Sequence, residues 1–421
     1  MKILHVCQNY YPSKGGPQYT LKHLSEKLHA YYHDDVTVCT SDSMYNPESA
    51  LYKKISPVVE NINGVKIHRM PFRRWHYPLI KYGNKAVIKL TGKPLADDIV
   101  NKRWDIHSPA INRMMRTTDA DVIMGTTINY DFCNYPLWRH KLVNAKPFVM
   151  YGSVHLHIEY DFDDYIIRKA RICDCYIANT DFEREVLINK YGAQPHKIIT
   201  AGTGIDTSDF VSDEKEITDF KMQHGIAETD VIFGFVGRLV KGKGVAVLID
   251  AIRRLSAEQA NIKLLLAGAS TDYVPAIKDA INKEKLPIIL IENFSDQQKK
   301  LIYHAMDIFV LPSQSESFGV VFLEAWACRK AVIGGEMGAT ASLLQDGVDS
   351  LLVNINEVDD LVNKITLLAK DEQLRNKLGA QGYQKALTKF SWPSIVSKYR
   401  DAYLTGIENF KLAGKNIVQL G

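Results

Sequence analysis

The sequence predicts an α/β fold built from two doubly wound parallel sheets in tandem. Three observations carry that reading. Short apolar runs alternate with longer amphipathic stretches, the pattern of successive βα units. The length of 421 residues exceeds what one ordinary core fills and suits two domains of about 200 residues each. Near the middle, residues 207–230 form a polar, acidic segment without a strand pattern, after which a second alternating series begins. The expected division is therefore 1–206 and 207–392, with a C-terminal helix from about residue 393 to 421 packing back on the first domain.

In chain order, Lys2–Cys7 reads as a buried strand, followed by a Gly15-Gly16-Pro17 turn and a helical pattern through Leu21, Leu24 and Leu28. Val36–Thr40, Val65–Met70, Val122–Gly125 and Phe148–Tyr151 are apolar runs of strand length. A helix is expected near Tyr165–Ile172 and a strand at Cys175–Ala178. Asn179-Thr180-Asp181 then supplies N-capping residues for a helix over Phe182–Tyr191. Ile198–Thr200 closes the first series. The second comprises strands at Val231–Val236, Lys263–Ala267, Ile288–Ile291, Ile308–Leu311 and Ala331–Ile333. Helices are expected at Val245–Leu255, Gln297–Ala305 and Phe318–Cys328, and the chain is mainly helical from Val358. Ligands of such sheets gather beyond the C-terminal ends of the strands, and with two domains the expected site is the cleft between them.

Composition narrows the class. With 46% hydrophobic and 24% charged residues the chain reads as a soluble enzyme, and a net charge of +4 is too small to argue for nucleic acid. The start, Met1-Lys2-Ile3-Leu4-His5, turns polar too early for a signal peptide, and no run reaches the ~18 apolar residues of a bilayer span. The six cysteines lie mostly isolated in apolar contexts, as reduced thiols do, and Cys173-x-Cys175 lacks a second pair at zinc spacing. A cytoplasmic protein without a metal site is expected. Charge is uneven in one place: residues 61–96 hold Lys66, Arg69, Arg73, Arg74, Lys81, Lys85, Lys89 and Lys93 and no acidic residue. Phe72, Trp75, Tyr77 and Tyr82 are interleaved, and Lys81, Lys85, Lys89 and Lys93 share one helix face at i, i+4 spacing. A solvated basic helix and a surface for anionic lipid are both open readings.

Two stretches carry chemistry. In Glu316-Ser317-Phe318-Gly319-Val320-Val321-Phe322-Leu323-Glu324, two carboxylates flank seven residues at an expected turn-to-helix junction. Ser317 is placed to cap the helix, and the N–H groups of Phe318, Gly319 and Val320 to face an anion. Glu324 lies roughly 9–10 Å further along the axis at 1.5 Å per residue. A phosphate between two hydroxyl-binding carboxylates is what a sugar–diphosphate–ribose ligand presents. The second stretch, Gly237-Arg238-Leu239-Val240-Lys241-Gly242-Lys243-Gly244, places glycines and cations directly after a strand, as a phosphate cradle does. It is not a Walker loop, because Gly242-Lys243 is followed by glycine.

These stretches, with Leu311-Pro312-Ser313, Gly204-Ile205-Asp206 followed by Phe210, the Gly15-Gly16 loop and Phe390-Ser391-Trp392, resemble the retaining glycosyltransferases of the GT-B fold, glycosyltransferase family 4. The resemblance runs in order over nearly the whole chain. It implies two Rossmann-like domains, an acceptor-binding one at 1–206 and a donor-binding one at 207–392. Arg238 and Lys243 would hold the donor diphosphate in place of a metal, beside Gly237. Glu316 would contact the sugar, with Ser317, Phe318, Gly319 and Val320 on sugar and phosphate. Glu324 would bind ribose, and Gly16 would meet the diphosphate from the other domain. The family's histidine near the reactive carbon matches His155 or His157; spacing leaves both open, and His155 is favoured. Two positions depart from the family: Ala341-Ser342 stand where an acidic residue is frequent, and Ser350 where glycine is.

The resemblance implies transfer of a hexosyl residue from a UDP- or GDP-sugar to an acceptor hydroxyl, with retention and without a metal or other cofactor. Glycans or lipid-linked acceptors of bacterial envelope polysaccharide, lipopolysaccharide or glycolipid synthesis are the expected partners, reached through an anionic membrane surface on 61–96. A nucleotide-sugar 2-epimerase on the same fold is the nearest alternative, and a non-catalytic glycan- or membrane-binding protein the other. A dehydrogenase is disfavoured, since Gly15-Gly16 is not G-x-G-x-x-G.

Overall fold

The computed structural model describes residues 1–44, 52–71, 76–95, 99, 108–127, 131–154 and 169–418. The chain forms two compact units, passing from the first to the second between Gly202 and Thr203 and returning to the first at Ile395.

In the first unit, β1 (Lys2–Val6), β2 (Asp35–Ser41), β3 (Val59–Ile62), β4 (Val65–Met70), β5 (Val122–Thr126), β6 (Phe148–Tyr151), β7 (Cys175–Ala178) and β8 (Ile198–Thr200) make one sheet ordered β3-β4-β2-β1-β5-β6-β7-β8. Every pair is parallel except β3–β4. The antiparallel strand was not anticipated. Asn63 and Gly64 both take positive φ between β3 and β4, the two-residue turn that joins strands with matching twist. The helices are α1 (Gly16–Tyr32), α2 (His76–Thr91), α3 (Pro109–Thr117), α4 (Tyr135–Trp138) and α5 (Asp181–Asn189). Of the helix expected over Tyr165–Ile172, only residues 169–172 are described, and they are helical.

In the second unit, β9 (Val231–Val236), β10 (Ile262–Gly268), β11 (Ile288–Glu292), β12 (Ile308–Leu311), β13 (Ala331–Gly335) and β14 (Leu351–Val353) form a sheet ordered β11-β10-β9-β12-β13-β14, all parallel. The helices are α6 (Glu214–Gln223), α7 (Val245–Glu258), α8 (Val274–Glu284), α9 (Asp296–Ala305), α10 (Val320–Ala327), α11 (Gly338–Leu343), α12 (Val358–Lys370) and α13 (Glu372–Lys389). Leu264, Leu265 and Leu266 of β10 are consecutive and all buried, so both faces of the sheet are covered. Each contributes about 1.5–3 kcal/mol of transfer free energy. From β9 the order runs outward one way through β10 and the other way through β12, which puts the reversal point between β9 and β12.

The last helix, α14 (Trp392–Val418), begins in the second unit and has its body in the first. Trp392 is buried against Gly204, where a Cβ would come within 2.5 Å of the indole, and Ile205 N–H donates to the Phe390 carbonyl at 2.8 Å. Those contacts put residues 203–206 in the second unit, four residues before the expected boundary. Further along, Tyr399 OH donates to Gly202 O, Arg400 pairs with buried Asp34, and Tyr403 OH meets His5 Nε2 at 2.9 Å. Burial pushes the His5 pKa down to about 3, so its ring is neutral in this core. Among the described residues no helix is long and apolar enough to cross a membrane.

Candidate functional site

The two stretches singled out in the sequence leave adjacent strands, β9 and β12, at the reversal point of the second sheet. Gly237 follows β9, its N–H donating to Ala267 O at 3.0 Å. A Cβ on Gly268, at the end of β10, would lie 1.9 Å from Gly237 O, so the two backbones touch where only glycine fits. Arg238 is exposed. Lys241–Lys243 form a short 3-10 turn, and Gly244 (φ 81°) opens α7. That positive φ is one a side chain resists, and a Cβ there would strike Pro312 O at 2.3 Å.

The loop after β12 is tied to this one. Gln314 N–H donates to Gly242 O, and Lys243 Nζ reaches Ser315 O at 3.4 Å and Glu316 Oε1 at 2.6 Å. Both side chains of the ion pair are mostly buried, 15% and 10% exposed, so water screens it only weakly. Ser313 Oγ donates to Ser315 O, while Ser315 Oγ is buried with no partner among the described residues. The sequence reading named Ser313 only as part of a motif and did not single out Ser315. The Leu311-Pro312-Ser313 motif pointed at their loop but not at which hydroxyl is left over.

Two expectations about the following helix need correcting. The helix starts at Val320, not Phe318, because Gly319 takes φ 90° and serves as its N-cap. Ser317 therefore does not cap it; the positive-φ break at Gly319 stands between them, and no side-chain cap bond is made. The helix opens on the amides of Val320 and Val321, with Phe322 N–H bonded to Gly319 O. Phe318 is anchored in the core, its ring edge-on to Phe390.

Glu324 sits one turn into α10 and is 6% exposed. Lys299 Nζ and Tyr303 OH of α9 bind its two oxygens, each at 2.7 Å. Burial pushes the Tyr303 phenol well up, with the Glu324 charge adding to it. Burial lowers the Lys299 pKa, but the charge of Glu324 and the hydrogen bond to it outweigh that and leave it raised. Neither partner was foreseen, since they stand 25 and 21 residues away on another helix.

Gly16 begins α1 in the first unit, and a Cβ there would meet nothing within 4 Å. His155 and His157 lie outside the described residues, as do Phe72, Arg73, Arg74 and Trp75. The basic stretch 61–96 is smaller on the surface than in the sequence. Arg69 is 1% exposed, paired with Glu60 and donating to Tyr11 O at 2.8 Å, and α2 ends at Thr91, before Lys93. Lys81, Lys85 and Lys89 remain on the helix.

Residues 216–385 match the sequence family described as Glycosyl transferases group 1. A D-inositol 3-phosphate glycosyltransferase of Thermobifida fusca is 30% identical over 247 residues, 55% of this chain and 56% of that one. An uncharacterized glycosyltransferase of Methanocaldococcus jannaschii is 36% identical over 178 residues, 42% of this chain and 49% of that one. The chain thus spans about half the length of these curated relatives. Among solved structures, Anabaena Alr3699/HepE in complex with UDP and glucose is similar with a TM-score of 0.71 and 18% identity, over 95% of this chain and 98% of that one. Sucrose-phosphate synthase from Thermosynechococcus elongatus follows at 0.69 and 16%, over 96% and 98%. The fold is GT-B.

Proposed function

We propose that this chain, a GT-B protein whose residues 216–385 belong to the glycosyl transferases group 1 family, moves a hexosyl residue from a UDP- or GDP-sugar to an acceptor hydroxyl with retention. One observation carries the reading: Lys243 and Glu316, a cation of the kind that binds diphosphate and a carboxylate of the kind that binds sugar hydroxyls, meet at 2.6 Å on the loops that leave β9 and β12 at the reversal point of the sheet. The relatives named above as glycosyltransferases, and the UDP in the Anabaena complex, support it.

In this reading the anomeric C–O bond to the diphosphate breaks, and negative charge grows on the leaving oxygen. Lys243, Arg238 and the first amides of α7 and α10 stabilise that charge. Glu316 turns from Lys243 to the hydroxyls of the sugar, Ser315 Oγ offers a further hydrogen bond, and Glu324 gives ribose the lone pairs that Lys299 and Tyr303 leave over. The acceptor oxygen bonds to the anomeric carbon on the face the diphosphate leaves, and its proton passes to the departing phosphate. The test is release of nucleoside diphosphate in the presence and absence of acceptor, with the anomeric configuration of the product read by NMR. Acceptor-dependent release with the donor's configuration is expected; a donor epimerised at C2 without net release of nucleoside diphosphate, as a 2-epimerase gives, or release that does not depend on acceptor contradicts it.

Because cations supply the charge that a divalent ion would, transfer should persist in excess chelator. Loss of activity in EDTA with recovery on Mg²⁺ or Mn²⁺ contradicts this part of the reading.

A lipid-linked acceptor, as in envelope polysaccharide, lipopolysaccharide or glycolipid synthesis, fits the surface of α2. Leu79, Tyr82 and Leu90 are 66%, 63% and 84% exposed, and at 3.6 residues per turn they fall with Ala86 in one arc of about 80°. Lys81, Lys85 and Lys89 line one flank of that arc. Apolar side chains bordered by cations suit the interface of an anionic bilayer, at about 1 kcal/mol per lysine near the surface. Replacing the three lysines by serine should reduce binding to anionic liposomes at low salt and slow transfer to lipid-linked acceptors, with soluble ones much less affected. Equal wild-type binding to anionic and neutral liposomes would show a solvated face.

A further inference from the structure

Glu324 of α10 is held from α9 by two side chains four residues apart on one face of that helix, Lys299 and Tyr303. Lys299 Nζ donates to Oε1 and Tyr303 OH to Oε2, each at 2.7 Å. The first turn of α9, which carries Lys299, is itself fixed by a reciprocal cap. Ser295 Oγ accepts from Gln298 N–H, and Gln298 Oε1 from Ser295 N–H. Lys299 Nζ also stands over the Phe210 ring, 5.5 Å from its centre, and that ring lies edge-on to Tyr303. His304 Nε2 donates to Phe210 O at 2.7 Å, tying the segment that carries the ring to α9. Ring, ammonium, phenol and carboxylate form one packed group, and only 23% of the Lys299 side chain and 8% of the Glu324 side chain remain exposed.

We propose that Lys299 and Tyr303 are positioning residues that adapt Glu324 to a vicinal diol, so that the donor site discriminates by both hydroxyls of the nucleotide ribose. The inference rests on the glycosyl-transfer reading, in which Glu324 meets ribose. An ionised carboxylate has about four lone-pair sites, two on each oxygen. Lys299 takes one on Oε1 and Tyr303 one on Oε2, which leaves one on each oxygen. Two acceptors side by side match two adjacent O–H donors. A glutamate free to turn gives up rotamer freedom when it binds a ligand. Here the two partners have removed that freedom beforehand, so the hydroxyls meet a preorganised acceptor. The ammonium also balances the carboxylate, so no net negative charge stands where an anionic ligand places its ribose. A packing role alone lowers stability without distinguishing a nucleotide that has both hydroxyls from one that lacks either.

The test is calorimetric titration of UDP, GDP and their 2′-deoxy and 3′-deoxy counterparts into wild type, Lys299→Met and Tyr303→Phe, together with donor KM and kcat. In wild type, loss of either hydroxyl should weaken the nucleotide that binds by about tenfold or more, as loss of a hydrogen bond to a charged group does. In Lys299→Met that ratio should shrink to about threefold or less, the coupling between lysine and hydroxyl having gone. Donor KM should rise with kcat within about twofold, because the ribose lies away from the bond that breaks. Tyr303→Phe should shrink the ratio partway. A ratio in Lys299→Met equal to that of wild type, whatever the absolute affinities, overturns the proposal, and so does a wild type indifferent to both hydroxyls. Where Lys299→Met does not fold, an unchanged ratio in Tyr303→Phe overturns it. Failure of wild type to bind either nucleotide overturns instead the reading on which it rests.

Discussion

Glu316→Ala and Lys243→Ala should each lower sugar transfer by at least ~100-fold, on the order of 3 kcal/mol of transition-state stabilisation. The two failures should differ in kind. Without Lys243, the diphosphate loses a cation and meets Glu316 without it, so donor KM rises along with the loss in kcat. Without Glu316, Lys243 is free for the diphosphate and the sugar loses its anchor, so kcat falls while donor KM changes little. Because the groups are partnered, the double variant should lose much less than the sum of the singles. Steady-state kinetics on all three, with circular dichroism to confirm folding, checks this. Rates within about threefold of wild type in both single variants, against the ~100-fold expected, would remove the site.

Glu324→Ala has the largest expected effect on stability. Its carboxylate compensates Lys299 and Tyr303 together in a mostly buried position, and deleting it strands the lysine charge. Breaking a buried pair from one side costs about 3–5 kcal/mol. At roughly 2–4 °C per kcal/mol for a unit of this size, the melting temperature should fall by about 6–20 °C. Lys299→Met with Glu324→Gln, which removes both charges, should recover much of the loss. A melting temperature within about 2 °C of wild type in Glu324→Ala would show that the pair contributes nothing net.

How far each element was legible follows from where its determinants lie. β1, β6, β7, β9, β10 and β12 are buried on both faces and so appear as continuous apolar runs. β3 alternates exposed and half-buried residues, with Val59 50% exposed, and shows no such run. Its one signal is Asn63-Gly64, which went unread. β14, Leu351–Val353, went unread although β8, also three residues long, was read. The donor-site loops were legible because glycines and charges cluster locally, whereas the start of α10 was misplaced because Gly319 was read for ligand access and not for its φ. Arg69 was counted with the surface cations because its partner Glu60 lies just outside the stretch, on a strand whose pairing is not visible locally. The partners of Glu324 converge through tertiary packing, which periodicity does not encode.

The second unit is expected to bind a nucleotide-diphosphate sugar on the Lys243–Glu316 loops. The most direct test is thermal unfolding of wild type and Lys243→Ala against a panel of UDP- and GDP-sugars. A ligand present at ~100 times its Kd stabilises the folded state by about 2.7 kcal/mol. One donor should raise the wild-type melting temperature and leave Lys243→Ala nearly unmoved. Equal stabilisation of both proteins by the same nucleotide sugar, or none of either by any, would contradict this expectation.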